Sequence, residues 1–447
     1  MRKKIVRAGG NGASFQEASE DLRELAELKV PKSQVLRVTQ ETGDELAAAR
    51  DTRVAQHRRG ELQPETKQPP VPIACVGTDG GRMFTRAGGA GRGVHEARWK
   101  EDKIGCLWRM QGKTYEEDPH PKLPRCFQDE NHVRKLVRGL HGSAGPPPDD
   151  TDAEDEERTD EVSQETNVST PRWQPERVFR TCVATLQDIH AFGWQVAAEA
   201  QRRGFHQAER RVFLGDGAHE NWTVQKTHFP HFTPILDFVH LIGHLFDAAK
   251  AVTGSYAARW EQYIDWATAC WQGRGERVTE ELERWQQTLG EPPADAADDD
   301  PREVVRLMIG YLQNNRERID YPAYRRQGLP ITTALVESLI KQFNRRVKGT
   351  DKFWNRPVGA EAILQVKAAL LSDGDPLQDH LTHLRQFDFR TIVPEACYAN
   401  ARGLWHYRFV FSFVALRLTL AGGVMIPAPR RLLAGPCRRR LGWPCGR

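Results

Sequence analysis

The chain has 447 residues, of which 39% are hydrophobic and 28% are charged. That length and composition allow two or three domains with a sizeable core, while a formal net charge of +4 is too small to indicate a partner. The eight cysteines contain no C-x-x-C pair, which argues against a disulfide framework or zinc ribbon and favours a cytoplasmic protein. No apolar segment follows the basic residues after Met1, so we expect no secretory signal.

The N-terminal part has the apolar spacing of two helices over residues 14–57, separated by Pro31-Lys32-Ser33. Two short helices joined by a tight turn would suit a helix-turn-helix unit that binds DNA, although a plain helical hairpin fits the pattern better. We therefore predict an N-terminal helical region over residues 1–70, with DNA binding as one of its two possible roles. Its end, from residue 61, is a proline-rich linker.

Two short apolar runs each lead into an aspartate and a glycine. Residues 73–76 (IACV) precede Asp79 and Gly80, and residues 212–214 (VFL) precede Asp216 and Gly217. Each run predicts a buried strand that stops at a glycine turn. The aspartates would then stand at the carboxyl ends of strands, where open α/β sheets bind ligands.

A third apolar run, residues 234–236, is followed by Asp237 and His240. Apolar residues then recur at helical spacing, so the pair lies near the start of a helix and close to Asp216. One interpretation is that Asp237 and His240 support a functional site or contact a phosphate without binding the metal, because a neutral imidazole is a poor partner for Mg²⁺, which prefers oxygen. The other is that Asp237 simply caps the helix.

The remaining segments give coarser predictions. Residues 99–110 indicate one or two further strands, residues 141–176 a disordered acidic insertion, and residues 177–205 a single helix. The segment 249–330 indicates an all-helical insertion, whose four tryptophans at 260, 266, 271 and 285 we expect to pack in a core. Residues 391–447 form an arginine-rich tail whose composition differs from the rest of the chain and indicates an aberrant end. The arginine at 417 argues against a membrane span there.

Residues 331–348 (ITTALVESLIKQFNRRVK) predict an amphipathic helix. Glu337 and several cations share one of its faces, and such a face is commonly only solvated. It is also suited to a helix that supplies a metal ligand at Glu337 and holds nucleic-acid phosphates further along. The residues predicted to contact DNA are Lys341, Arg345, Arg346, Lys348 and Trp354.

Three acidic residues, Asp79, Asp216 and Glu337, would make a set of hard oxygen ligands for Mg²⁺ or Mn²⁺. Two such ions could activate a water or a 3′-hydroxyl and stabilise the leaving oxygen of a phosphodiester. The sequence therefore predicts a two-metal site. Its geometry depends on the two strand ends and the helix meeting in space.

Four segments of the chain resemble bacterial insertion-sequence transposases of the DDE type, in particular the Kra-type group related to Mutator-like transposases. They are GTDGGR around Asp79, FLGDGAHENW around Asp216, DFVH at 237–240 and ALVESLIKQFNRRVKGTDKFW around Glu337. The resemblance runs from about residue 14 to about residue 375. Within it, Asp237 and His240 match the Cys/Asp-x-x-His motif of Mutator-like enzymes.

This resemblance implies an α/β fold with an RNase H-like catalytic core, over residues 71–248 and 331–390, interrupted by the helical insertion 249–330. It also implies metal-dependent cleavage and strand transfer at the terminal inverted repeats of an insertion sequence, by a homo-oligomer bound to those repeats and to target DNA. The protein would then be nucleoid-associated in a bacterial cytoplasm, with no membrane partner.

Two other classes of function remain possible at this point. The five histidines at 219, 228, 231, 240 and 244 could suggest a zinc hydrolase, but there is no H-E-x-x-H motif and part of the set falls on loops. A catalytically inactive, transposase-derived DNA-binding protein would keep the basic faces but would have no use for acidic residues at two strand ends.

Overall fold

The computed structural model describes residues 1–65, 71–86, 97–142, 173–332, 334–347, 354 and 357–386, although not the side chains of 86, 97, 98, 141, 142, 334–337 and 384–386. The predicted acidic insertion therefore lies mostly outside the described residues, as do the tail 391–447 and Lys348. Within the described part, no helix is both long and apolar enough to cross a membrane.

A five-stranded mixed sheet lies at the centre of the fold. Its strands stand in the order β3-β2-β1-β4-β5, so the first three form an antiparallel meander while β4 and β5 run parallel to β1. Their bounds are β1 Ile73–Arg86, β2 Ala97–Gln111, β3 Glu176–Thr185, β4 Arg210–Gly215 and β5 Thr233–Leu236.

The first strand does not end at Asp79 as predicted. Its pairing with β4 stops at Gly77, whereas its pairing with β2 continues from Ile73 to Arg86. The antiparallel partner satisfies the backbone groups that β4 no longer reaches, so the two glycines after Asp79 stay within the strand and form no turn. Asp79 accordingly lies inside β1, two residues beyond its last pair with β4.

Residues 176–185 form β3, and the prediction of a helix from residue 177 is wrong for this stretch. Their apolar residues fit a helical stripe, but they are also rich in β-branched and aromatic side chains, and pairing with β2 decides between the two. The helix begins only at Ile189, where the Asp188 side chain accepts a hydrogen bond of 2.8 Å from the Ala191 N–H.

Helices pack against the sheet, and three of them (α4, α6 and α14) lie where no helix was predicted. Their bounds are α1 Arg2–Asn11, α2 Phe15–Ala26, α3 Lys32–Arg58, α4 Glu130–Gly142, α5 Ile189–Arg202, α6 His219–His228, α7 Phe238–Val252, α8 Tyr256–Trp271, α9 Gly275–Leu289, α10 Pro301–Asn315, α11 Tyr321–Arg326, α12 Ala334–Val347, α13 Pro357–Leu371 and α14 Pro376–Gln386.

The N-terminal helices pack against the rest of the fold through α3, which contacts α5 and α13, and through α1, which contacts α13 and α14. An ion pair of 2.6 Å joins Arg50 of α3 to Glu361 of α13, and the second oxygen of Glu361 accepts a hydrogen bond of 2.7 Å from the Leu186 N–H. Further hydrogen bonds run from α13 and the residues after it to β3. These contacts cover the edge of β3, which would otherwise expose unpaired backbone groups.

The helices between β5 and α12 share the main core with the sheet. Trp266 and Trp271 are fully buried there, and Trp260 and Trp285 pack against it from partly buried positions. The expectation that the tryptophans are packing residues is therefore confirmed.

Candidate functional site

The register of the parallel strands puts three aspartates in one row. Gly77 of β1 pairs with Leu214 of β4, so Asp79 and Asp216 each lie two residues beyond the same pair. Asp237 follows the last pair of β4 with β5 and donates its N–H to the Gly215 carbonyl at 2.8 Å. Because neighbouring strands stand about 4.8 Å apart, the three residues meet at one edge, as the sequence predicted for Asp216 and Asp237.

The Asp216 carboxylate is held by the turn that follows β4. Its Oδ1 accepts hydrogen bonds from the Ala218 N–H at 2.9 Å and from Asn221 Nδ2 at 2.8 Å. Asn221 is almost fully buried, and its Oδ1 accepts a hydrogen bond of 2.9 Å from the Thr78 hydroxyl of β1. Asn221 thus connects the residue before Asp79 to the side chain of Asp216.

The turn itself depends on Gly217, whose φ of +102° is one that L side chains rarely adopt. A methyl group at this position would also collide with the ring of Tyr311, which comes from α10. The Tyr311 hydroxyl donates a hydrogen bond of 2.8 Å to the Asp216 carbonyl. The helical segment inserted after β5 therefore contributes directly to the Asp216 turn.

Asp237 and His240 form a pair at the start of α7. The buried Asp237 caps the helix by accepting a 3.1 Å hydrogen bond from the His240 N–H, and it also contacts the ring Nδ1 of His240 at 2.5 Å. Burial lowers the pKa of His240, but the hydrogen bond and charge of Asp237, with the charges of Asp216 and Asp79, outweigh it and raise the pKa to about 9. The cap given by one of the two interpretations is thus present, together with a contact between the two side chains.

Negative charge accumulates at this edge of the sheet. The negative charges of Asp79 and Asp216 both contribute to the raised pKa of His240. Burial, followed by the charges of Asp216 and Asp237, raises the pKa of the Tyr311 hydroxyl well above its usual value. A site of this sign attracts a cation, and partly exposed carboxylates such as Asp79 and Asp216 are the hard ligands that Mg²⁺ or Mn²⁺ requires. These two residues therefore fit the predicted metal, although no group of three or more described His, Cys, Asp or Glu side chains is arranged to hold an ion.

Helix α12 lies against β1 and carries Glu337 in its first half, while the Glu337 side chain lies outside the described residues. Three apolar residues of this helix, Leu339, Phe343 and Val347, are fully buried. On its other side Lys341 and Arg345 are exposed, as a face that holds phosphates requires.

Two residues predicted to contact DNA are buried. Arg346 is 3% exposed, donates a 2.9 Å hydrogen bond to the Gly9 carbonyl of α1, and places its guanidinium 4.4 Å from the Phe15 ring centre. Trp354 donates its ring N–H to the Val347 carbonyl and its backbone N–H to the Phe84 carbonyl. The DNA-binding prediction does not fit either residue in this structure, because both pack between α12 and its neighbours.

Sequence reasoning assigned no role to Asn221 or Tyr311. Asn221 lies five residues after Asp216, on the next helix, and this short spacing was a usable signal because a helix start can return a side chain to the preceding turn. Tyr311 lies 95 residues away from Asp216 in the chain. Only the packing of α10 brings it to the turn, so no local pattern could have identified it.

Searches against protein-family models and against curated proteins find no match to this chain.

Proposed function

We propose that the protein is a DDE transposase that cleaves DNA strands and transfers them at the ends of an insertion sequence. The observation that carries this proposal is the register of β1 and β4, which places Asp79 and Asp216 two residues beyond one strand pair at the same edge of the sheet. Strand ends of a central parallel pair are where α/β sheets hold reacting ligands. Two carboxylates side by side there are suited to phosphodiester chemistry that depends on a divalent metal.

The strand order supports an RNase H-like core as the finer description of the fold. In such a core an antiparallel meander of three strands is followed by two strands parallel to the first, which is the arrangement of β1 to β5. Helices α8 to α11 then stand where the predicted insertion would be, between the Asp216 strand and the helix that carries Glu337.

Each group in the site would have a separate task. Asp79, Asp216 and Glu337 would hold two Mg²⁺ or Mn²⁺ ions, which when bound activate a water or 3′-hydroxyl and stabilise the leaving oxygen. Asn221 orients the Asp216 carboxylate, and Asp237 keeps the imidazole of His240 protonated beside the other two aspartates. Lys341 and Arg345 on α12 would bind the phosphates of double-stranded DNA, and the terminal repeats and target would be held by a homo-oligomer.

The test is nicking of supercoiled plasmid DNA in Mg²⁺ or Mn²⁺, because it needs no knowledge of the terminal repeats. Wild-type protein should nick the plasmid, whereas Asp79→Asn, Asp216→Asn and Glu337→Gln should each remove the activity. Each substitution keeps the shape of the side chain and removes the charge that holds the metal. Thermal melting and plasmid binding should stay close to wild type, since binding depends mainly on cations at phosphates.

Two outcomes would contradict the proposal. Nicking by all three variants at the wild-type rate would show that the carboxylates are not catalytic. Binding of the plasmid by wild-type protein with no nicking in either metal would favour the inactive, transposase-derived DNA-binding protein.

A further inference from the structure

Tyr311 joins the helical insertion to the Asp216 turn by two independent contacts. Its hydroxyl donates a hydrogen bond of 2.8 Å to the Asp216 carbonyl, and its ring occupies the space that a side chain at position 217 would need. The ring also contacts that of His244 in α7, with the two ring centres 4.4 Å apart. The position of Asp216 therefore depends on α10 as well as on β4.

We infer that Tyr311 is a positioning residue for Asp216, so that the helical insertion is part of the metal-binding site. This inference deepens the proposed function and rests on it. A carboxylate presented by a turn is only as well placed as the backbone of that turn, and the turn after β4 contains a glycine with positive φ. The hydroxyl of Tyr311 fixes the Asp216 carbonyl, while Ala218 and Asn221 fix the carboxylate.

The contact is of the kind that orients metal ligands in other proteins. Groups that hydrogen-bond a ligand residue set its direction, and their removal typically weakens metal binding by about 10- to 100-fold. Tyr311 acts on the backbone of Asp216 and not on its carboxylate, so we expect an effect at the lower end, about tenfold. The electrostatic contribution of the hydroxyl is small, because it stays neutral at ordinary pH with its pKa raised well above the usual value by burial.

The experiment replaces Tyr311 with Phe, which keeps the ring against Gly217 and His244 and removes only the hydroxyl. Tyr263→Phe is the matched control, since Tyr263 is another tyrosine of the insertion whose hydroxyl donates to a backbone carbonyl, that of Phe127, at 3.2 Å. The two variants should lose similar amounts of thermal stability. Mn²⁺ affinity, measured from the electron paramagnetic resonance signal of free Mn²⁺, should fall about tenfold in Tyr311→Phe and should not change in Tyr263→Phe.

A second measurement is independent of the metal. Hydrogen exchange of the peptide that covers residues 216–219 should accelerate in Tyr311→Phe and remain at the wild-type rate in Tyr263→Phe, because the Ala218 N–H bonds to Asp216. If both the exchange rate and the Mn²⁺ affinity of Tyr311→Phe match those of Tyr263→Phe, the positioning role is wrong. If wild-type protein binds no Mn²⁺, the proposed metal site fails, and the exchange measurement still decides the role of Tyr311.

Discussion

Asp79 in β1 and Asp216 after β4 follow the same local sequence pattern, an apolar run that leads into aspartate and glycine, but their surroundings differ in structure. At Asp216 the strand ends, Gly217 adopts a φ of +102°, and Asn221 and Tyr311 hold the turn. At Asp79 the strand continues to Arg86, paired with β2 on one side only. Asp216 thus lies in a turn that is held by hydrogen bonds from Asn221 and Tyr311, whereas Asp79 lies in an extended strand.

The difference follows from which neighbours are available. β4 has parallel partners on both sides, and its pairing with β1 stops at Leu214 and with β5 at Gly215, so no neighbouring strand pairs with the residues that follow. β1 keeps the antiparallel β2, which continues to satisfy its hydrogen bonds. A glycine after an aspartate is therefore required at one of these sites and only tolerated at the other.

The largest expected effect tests that contrast directly. Gly217→Ala should lower the free energy of unfolding by about 3 kcal/mol, because the new methyl group is strained by the positive φ and collides with Tyr311. Gly80→Ala should change it by less than about 0.5 kcal/mol, since its Cβ would lie in ordinary contact, 3.4 Å from the Asp102 carbonyl. Urea unfolding of the two variants measures both values, and equal losses would refute the contrast.

The next effect concerns His240, whose charge depends on the aspartates at this edge. Its folded pKa of about 9 lies above the unfolded value of about 6.5. The resulting stability is fully present below about pH 6.5 and is lost as the pH rises through about 9, a change of about 3 kcal/mol.

Urea unfolding of metal-free wild type should therefore show falling stability between these pH values, and His240→Gln should show a flatter profile. Parallel profiles would mean that the Asp237–His240 pair does not carry this charge.

A smaller effect on plasmid nicking is expected from Asn221, whose side chain hydrogen-bonds to both Asp216 and Thr78. Asn221→Ala removes the hydrogen bond to the Asp216 carboxylate and leaves the Thr78 hydroxyl without its acceptor, so we expect plasmid nicking to slow about tenfold, or about 1.4 kcal/mol in the barrier. Thr78→Val removes only the contact on the β1 side and should slow nicking less. Initial rates in Mn²⁺ compare the two variants, and the reverse order would show that the β1 end is the more sensitive.

The smallest effect concerns DNA binding on α12. Lys341→Ala and Arg345→Ala should each flatten the dependence of log affinity on log salt by about 0.9, because each removes one phosphate contact. Arg346→Gln should lower thermal stability without changing that slope, since Arg346 packs against Gly9 and Phe15. Fluorescence anisotropy with a labelled duplex measures the slopes. Slopes unchanged by the first two variants would mean that the exposed cations only solvate the helix.

Much of the site could be predicted because its signals are local. Apolar runs of three or four residues identified β1, β4 and β5, and the helical spacing after Asp237 located the start of α7. The same signals gave a wrong prediction where one local pattern is compatible with two kinds of secondary structure. Residues 176–185 fit a helical stripe as well as a strand, and only their pairing with β2 made them β3. The basic stripe of α12 likewise did not show which cations face solvent.

The amino-acid sequence by itself determined that β4 ends at Asp216 and that Asp237 precedes α7, because burial of short apolar runs and the conformational freedom of glycine act over a few residues. Only the tertiary structure decided the length of β1, the burial of Arg346 and Trp354, and the hydrogen bond from Tyr311 to the Asp216 carbonyl. Each of these depends on a partner far away in the chain, from β2 to α1 and α10, and contacts over such separations leave no periodic pattern in the residues that make them.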